Sequence, residues 1–506
     1  MKTIFIAAFS VLLGLNTVAG EFNILKFGAV ADGKTMNTAH IQAAIDKTNQ
    51  SGGGTVIVPA GVFLTGSIVL KTGVELRLEK NAVILGSTNP YDYTGLNRWK
   101  ALVLADGQEN ISITGEGTID GQGRKLALNV DSLFYIGELD SAHYNLRRKR
   151  PNEHMRPQNI EMVDCKNVTI SGITVKNAAC WVQTYDKCTD LKIDKIRVES
   201  DAYWNNDGMD ISDCRNVQIT GCYVNSADDG ICLKSHSTGT WNENITISDC
   251  TVRSSASAIK FGTASTGGFK NVKIENIRVF DTFRSAIALE SVDGGVLENI
   301  DVNNIFAINT GNAIFIRLGH RNSDGAVGVL RNVRIRNVKA QIAFDRPDKD
   351  YDLRGPDLSF FHNPFPCSIA GILGHNVENV ILENIEITFP GRGNDGLAYL
   401  PVYRLNDVPE QESEYPEFSM FGELPAWAFY VRHVNGLVMK NVIVKAEAPD
   451  YRPAFVFDDV KNLQLDRISI SKANNNPAVI LKDVVGEEIK SITVPGFGGE
   501  IIKKVK

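Results

Sequence analysis

A right-handed parallel β-helix is the fold the sequence predicts, and three observations predict it. A short strand pattern recurs along the chain, each copy alternates apolar and polar residues, and an Asn precedes the first apolar residue in most copies. Cys165-Lys166-Asn167-Val168-Thr169-Ile170 is echoed by Cys188-Thr189-Asp190-Leu191-Lys192-Ile193 and by Cys214-Arg215-Asn216-Val217-Gln218-Ile219. From Val168 the steps to Leu191, Val217, Ile245, Val272 and Ile300 are 23, 26, 28, 27 and 28 residues. Further copies follow at Val333, Val380, Leu437 and Leu463, and the longer steps among them imply loops inserted between coils. Self-similarity at such a period marks a solenoid, alternation is the period of a half-buried strand, and aligned Asn side chains can stack in ladders at turns. A β-sandwich of many short strands has no need of self-similar spacing.

Taken in order, the chain opens on a secretory signal over residues 1–20. Lys2 supplies the charge, Ile4 to Leu15 the short apolar run, and Thr17-Val18-Ala19-Gly20 the small residues for cleavage near Glu21. No later segment is long and apolar enough to span a bilayer, so the protein is expected to be exported, to the periplasm or the medium. Ile41, Ala44 and Ile45 fall at near-helical spacing between Thr38 and Asn49, and Ser51-Gly52-Gly53-Gly54 ends the segment. This predicts a short amphipathic helix capping the open end of the solenoid, which needs a cover. Strands follow at Thr55–Pro59 and Gly66–Leu70.

Two stretches break the repeat. Residues about 124–160 carry Arg147, Arg148, Lys149, Arg150 and Arg156 with His143, Tyr144 and His154. They read either as a cationic loop gripping an acidic sugar or as a solvated insertion. Residues about 390–427 carry Tyr403, Arg404, Tyr415, Phe418, Phe421 and Trp427, as sugar-stacking aromatics or as a small core of the loop itself. A single elongated domain over 21–506 is expected, since a solenoid core grows with its coils, and the protein is expected to be a monomer. The net charge of −6 gives no basic footprint for nucleic acid. Of the eight cysteines, Cys165, Cys188 and Cys214 share one position of successive copies and Cys222 and Cys250 another. Other copies hold Ile at that second position, which suggests small buried hydrophobes rather than a disulfide framework.

Chemistry concentrates in Asn205-Asn206-Asp207-Gly208-Met209-Asp210 and Asp228-Asp229-Gly230. Asp207 and Asp228 are 21 positions apart, which places them on neighbouring coils with Asp229 beside them. Crowded acids repel, so at least one should keep its proton near neutral pH. A protonated acid beside an ionised one equips a site for general acid–base cleavage of a glycosidic bond. The alternatives are acids that cap turns or bind Ca²⁺.

Two resemblances sharpen this reading. Asp32-Gly33-Lys34-Thr35, Asn37-Thr38, Ala43-Ala44-Ile45 and Gly52-Gly53-Gly54-Thr55-Val56-Ile57-Val58-Pro59-Ala60-Gly61 look like the opening of pectin-degrading β-helix proteins. The two acidic segments, at their separation and inside this repeat, resemble glycoside hydrolase family 28, which contains polygalacturonases and rhamnogalacturonan hydrolases. The resemblance implies an inverting hydrolase acting on a pectic oligo- or polysaccharide without metal or cofactor. Asp228 would be the general acid, and Asp207 and Asp229 would hold and deprotonate the attacking water. Acid and base would then stand about 6.5–9.5 Å apart to admit that water. Asn205 would orient polar groups and Asp210 would support the site from behind.

The chain departs from the family pattern twice. Ser257 falls where the family has the His of a Gly-His-Gly segment, and Ala288-Leu289-Glu290 stands for an Arg-Ile-Lys that binds the substrate carboxylate. Candidates to compensate are Lys234, His236, Lys260 paired with Glu290, Arg317 and His320. A changed specificity, toward a neutral sugar or a different uronic acid position, is the other outcome. Exo action is expected if the two insertions block one end of a groove. Two other classes compete: a polysaccharide lyase on the same fold, with Ca²⁺ at the three Asp residues, and a carbohydrate-binding solenoid without turnover.

Overall fold

The computed structural model describes residues 20–505 apart from 323–324, 352–363, 394–395, 397–401, 474–476 and 497, so the expected signal segment lies outside the described residues except for Gly20. One parallel sheet, closed on itself coil after coil, forms a parallel β-helix, and the sandwich alternative does not hold. The repeat read from the sequence is the register of the fold. Val168 pairs with Leu191, Leu191 with Val217, and the ladder continues through Ile245, Val272, Ile300, Val333, Val380, Leu437 and Leu463. Each of these side chains points inward, and their union with the alternate apolar residues of every coil makes one continuous core.

The Asn before each apolar position has its own physical role. Asn216, Asn244, Asn271, Asn299, Asn332 and Asn379 all adopt a left-handed backbone, which Asn tolerates better than other non-glycine residues. Their amides form a ladder: Asn299 Nδ2 donates to Asn271 at 3.0 Å, Asn332 to Asn299 at 3.2 Å and Asn379 to Asn332 at 3.2 Å. Asn332→Ala loses two ladder bonds and places a Cβ-bearing residue without local hydrogen bonds in that conformation. It is expected to cost about 1–2 kcal/mol, read as a lower urea midpoint at unchanged slope.

Helix α1 (Thr38–Gln50) buries Ile41, Ala44, Ile45 and Thr48 and packs on the strands Gly20–Asn23, Gly54–Val58, Ile68–Val69 and Val74–Leu78. A second helix, α2 (Gly123–Tyr135), opens a segment that ends where the strand Gln158–Val163 rejoins the coil. Between them lies a two-stranded antiparallel pair, Tyr144–Asn145 with Arg150–Pro151. All eight cysteines are buried and free, and the Cys188 backbone N–H meets the Cys214 sulfur at 3.3 Å, so the stack acts as packing.

Candidate active site

The acids sit on the rim of two successive coils, each just before a strand, and Ser257 takes the same position on the third. Met209 pairs with Ile231 and Ile231 with Ile259, which aligns Asp207, Asp229 and Ser257 two residues before them. Backbone bonds lock that column: Gly208 N–H donates to Asp229 O and Gly230 N–H to Ser257 O, each at 2.8 Å. The glycine after each acid is required by close approach. A Cβ on Gly208 would meet Val224 Cγ1 at 2.5 Å and Gly230 O at 2.6 Å, and one on Gly230 would meet Val252 Cγ1 and Ala258 O at the same distances.

One oxygen from each of Asp207, Asp228 and Asp229 lies within 4.8 Å of the others. These nearest oxygens stand closer than the separation expected from the sequence. Two of the acids occupy one position on adjacent coils, where the ladder spacing is about 4.8 Å, and the third is a chain neighbour. A water with hydrogen bonds of about 2.8 Å to two such oxygens can bridge them.

Two buried lysines organise the charges. Lys234 Nζ lies 3.0 Å from Asp207 Oδ2 and 2.8 Å from Asp210 Oδ1, and 4.6 Å from the Trp181 ring centre. Lys260 Nζ lies 3.2 Å from Asp229 Oδ2, 3.9 Å from Glu290 Oε2 and 2.8 Å from the Tyr415 hydroxyl. Arg284 is buried behind Tyr415, with Nε 3.9 Å from Glu417.

These contacts divide the acids. Burial pushes Asp228 up, and the negative Asp229 beside it pushes the same way. Burial also raises Asp229, yet the ammonium groups of Lys260 and Lys234, the Arg284 guanidinium and the Ser257 backbone N–H (3.0 Å) together hold it below the ordinary carboxylate range. Asp207 and Asp210 share one ammonium; burial raises both, Asp210 to about 6, so the pair retains a proton more readily than a free carboxylate does. Glu290 is pushed up to about 8, first by burial and despite Lys260.

Glu290 therefore opposes folding as pH rises. Its folded value of about 8 exceeds the ordinary 4.5, so between these values the native state binds more protons than the unfolded chain, and stability falls with pH. Glu290→Gln is expected to remove this slope. Its urea midpoint should match wild type near pH 4.5 and exceed it near pH 8.

The acids open into a cavity of about 250 Å³ lined by Trp181, Asn205, Lys234, His236, Lys260, Thr263, Arg321 and Tyr415 among others. Of the residues singled out in the sequence, Asn205, Lys234, His236 and Lys260 line this cavity beside the acids. Glu290 lies behind Lys260. Arg317 does not belong to the site. Its buried guanidinium donates to the carbonyls of Gly371, Glu410 and Gln411 at 2.7–3.0 Å and ties the second insertion to the coil. His320 bonds Gly325 O and is also outside the cavity.

Both insertions resolve into parts. Arg150 and Arg156 are buried and donate to the Asn205 side-chain Oδ1 at 3.1 and 3.0 Å, and Arg156 also to Trp204 O at 2.7 Å, so they brace the segment before Asp207, while Arg147, Arg148 and Lys149 are exposed and do not line the cavity. In the second insertion Tyr415 reaches the cavity, Phe418 and Phe421 build a small core with Phe365, Leu405 and Val408, and Trp427 joins the main core. Trp181, Arg284 and Arg321 were not anticipated. Trp181 lies between recognisable strands, and only the register brings it beside Lys234.

A groove of clustered, unequal carboxylates on a parallel β-helix defines a carbohydrate-cleaving enzyme class. The model of glycosyl hydrolases family 28 matches residues 49–343, more than half of the chain, and the chain belongs to that family of O-glycosidases. A Vitis vinifera protein named "Probable polygalacturonase" is 26% identical over 398 residues, covering 73% of this chain and 70% of its own. A Zea mays exopolygalacturonase is 28% identical over 232 residues, covering 45% of this chain and 51%, about half, of its own length. The crystal structure of an exopolygalacturonase from Thermotoga maritima superposes with a TM-score of 0.59 at 25% identity, covering 73% of this chain and 87% of that one.

Proposed function

We propose that this protein is an exported, exo-acting hydrolase of pectic oligo- and polysaccharides that works by inversion. The observation that carries the reading is the placing of two adjacent acids with opposite bias: Asp228 is pushed toward the protonated form by burial and by Asp229, and Asp229, 3.2 Å from Lys260, is pushed toward the ionised one. Asp228 would donate its proton to the leaving glycosidic oxygen. Asp229, with Asp207, would hold a water and take a proton from it as the water attacks the anomeric carbon. The C–O bond to the leaving sugar breaks, a C–O bond to water forms, and the proton balance passes from Asp228 to Asp229.

The exo reading is supported by the second insertion, whose Tyr415 lines the cavity, and by the exopolygalacturonases among the relatives. Export rests on the apolar run at residues 4–15. Residues 21–506 would form one catalytic domain with α1 covering its first coil, and the protein would act as a monomer.

Incubation with pectic oligosaccharides of defined length tests this reading by mass spectrometry. Products heavier by one water, released one end unit at a time and unchanged by chelator, are expected. Unsaturated products lost on chelation would instead establish a lyase, and random mid-chain cuts would remove exo action.

A further inference from the structure

We propose that the sugar seated over the three carboxylates is a neutral residue, not a uronic acid; this rests on the hydrolase reading above for the statement that its bond is the one cleaved. The cations that line the cavity among the described residues are Lys234, Lys260 and Arg321, and protein carboxylates hold all three. Lys234 is spent on Asp207 and Asp210, Lys260 on Asp229 and Glu290, and Arg321 grips Asp293 with Nε and a terminal nitrogen at 2.8 and 2.7 Å. Arg284 behind Tyr415 is also near these acids, with Glu417 3.9 Å from its Nε, so with Asp228 seven carboxyl groups face four cations. Three of them must hold protons merely to bring the cluster to neutrality.

A substrate carboxylate would enter this surplus with no free cation to meet it, and like charges brought together in a partly dry site repel strongly. The coil after Lys260 adds one cation, Arg284, which lies outside the cavity lining with Glu417 3.9 Å from its Nε. Ala288 pairs with Lys260 in the ladder, and Glu290, two residues on, adds a further acid. The uncharged part of the wall suits hydroxyls and ring faces instead. Trp181 and Tyr415 present aromatic rings, Thr263 and Asn205 present polar groups, and His236 Nε2 is buried without a hydrogen-bond partner. His236 is neutral, because burial and then Arg98 and Lys234 push it down to about 3. A uronic acid one unit away is compatible with this: Arg98 lies over the Trp181 ring at 5.9 Å, outside the acid cluster.

The test uses four probes: a trigalacturonide, its carboxyl-reduced form with CH₂OH in place of each carboxylate, and alternating rhamnose–galacturonic acid oligosaccharides ending in either sugar. Cleavage is followed with wild type and affinity by calorimetry with Asp228→Asn. A neutral sugar in the cleaved position is expected to be favoured roughly tenfold or more in both measures. Ala288→Arg with Glu290→Lys should raise binding of the uronate-ended chains. Glu290→Gln, which keeps the buried shape, should do so more weakly. Equal or better binding of uronate-ended chains by the Asp228→Asn protein would overturn the inference, as would binding of none of the four. Preferential binding of the neutral-ended chains without any saturated product would leave the inference standing and remove the hydrolase reading.

Discussion

Asp228→Asn is expected to lower kcat on a cleaved pectic oligosaccharide by roughly three orders of magnitude, within the range of general-acid contributions. The amide has the shape of the carboxyl group but no transferable proton. Asp228 Oδ1 accepts only the neighbouring Asp229 backbone N–H at 3.0 Å, so the exchange disturbs little else. Wild-type stability or better is expected, because an acid that burial and a like charge push up gives way to a neutral group. Steady-state kinetics beside a urea melt separates the two effects. A variant that keeps its rate would place the proton donor elsewhere.

Lys260→Met should damage both stability and rate. Lys260 is 1% exposed and stands between Asp229, Glu290 and Tyr415. Removing one partner of a buried ion pair costs about 3–5 kcal/mol, since the other charge stays behind unpaired. Asp229 would escape that cost by taking a proton, which disables it as the proposed base.

The pH profile exposes this. In wild type, activity should fall as pH drops through the lowered Asp229 value and as pH rises through the raised Asp228 value, giving a bell. In Lys260→Met the acid limb should move to higher pH, because the largest cation holding Asp229 down is gone. The Asp228 limb should rise as well, though less, since Lys260 ranks behind Arg284 among the cations that lower it. Loss of stability with an unmoved acid limb would mean that Lys260 is a structural ion pair alone.

How much of this was legible in the sequence follows from what repeats. The strand register was readable residue by residue, since the coil places one inward Val, Ile or Leu per turn at a recurring offset. The placing of Asp207 and Asp228 on neighbouring coils followed from the repeat, whereas the alignment of Asp207 with Asp229, the chain neighbour of Asp228, needed the register of the fold. Arg317 was misplaced because its partners are backbone carbonyls of a loop 93 and 94 residues away, which leave no sequence signature. Arg150 and Arg156 looked like free cations because nothing in their segment announces Asn205 as their acceptor. The acid separation was read from a general rule for inverting enzymes, whereas here Asp228 and Asp229 are chain neighbours and Asp207 stands one coil away from Asp229. Tyr415 was noted as one aromatic among several, and only the fold distinguishes it from Phe418 and Phe421, which pack inward.

The close packing of the three acids makes the stereochemistry of cleavage the sharpest question, since closely spaced carboxyl groups also occur in retaining enzymes. Proton NMR of the first product formed, before its anomers interconvert, answers it. The account predicts the anomer opposite to the linkage that was broken, because a water held by Asp207 and Asp229 attacks directly. The same anomer as the broken linkage would contradict it and would make one of these carboxylates a nucleophile.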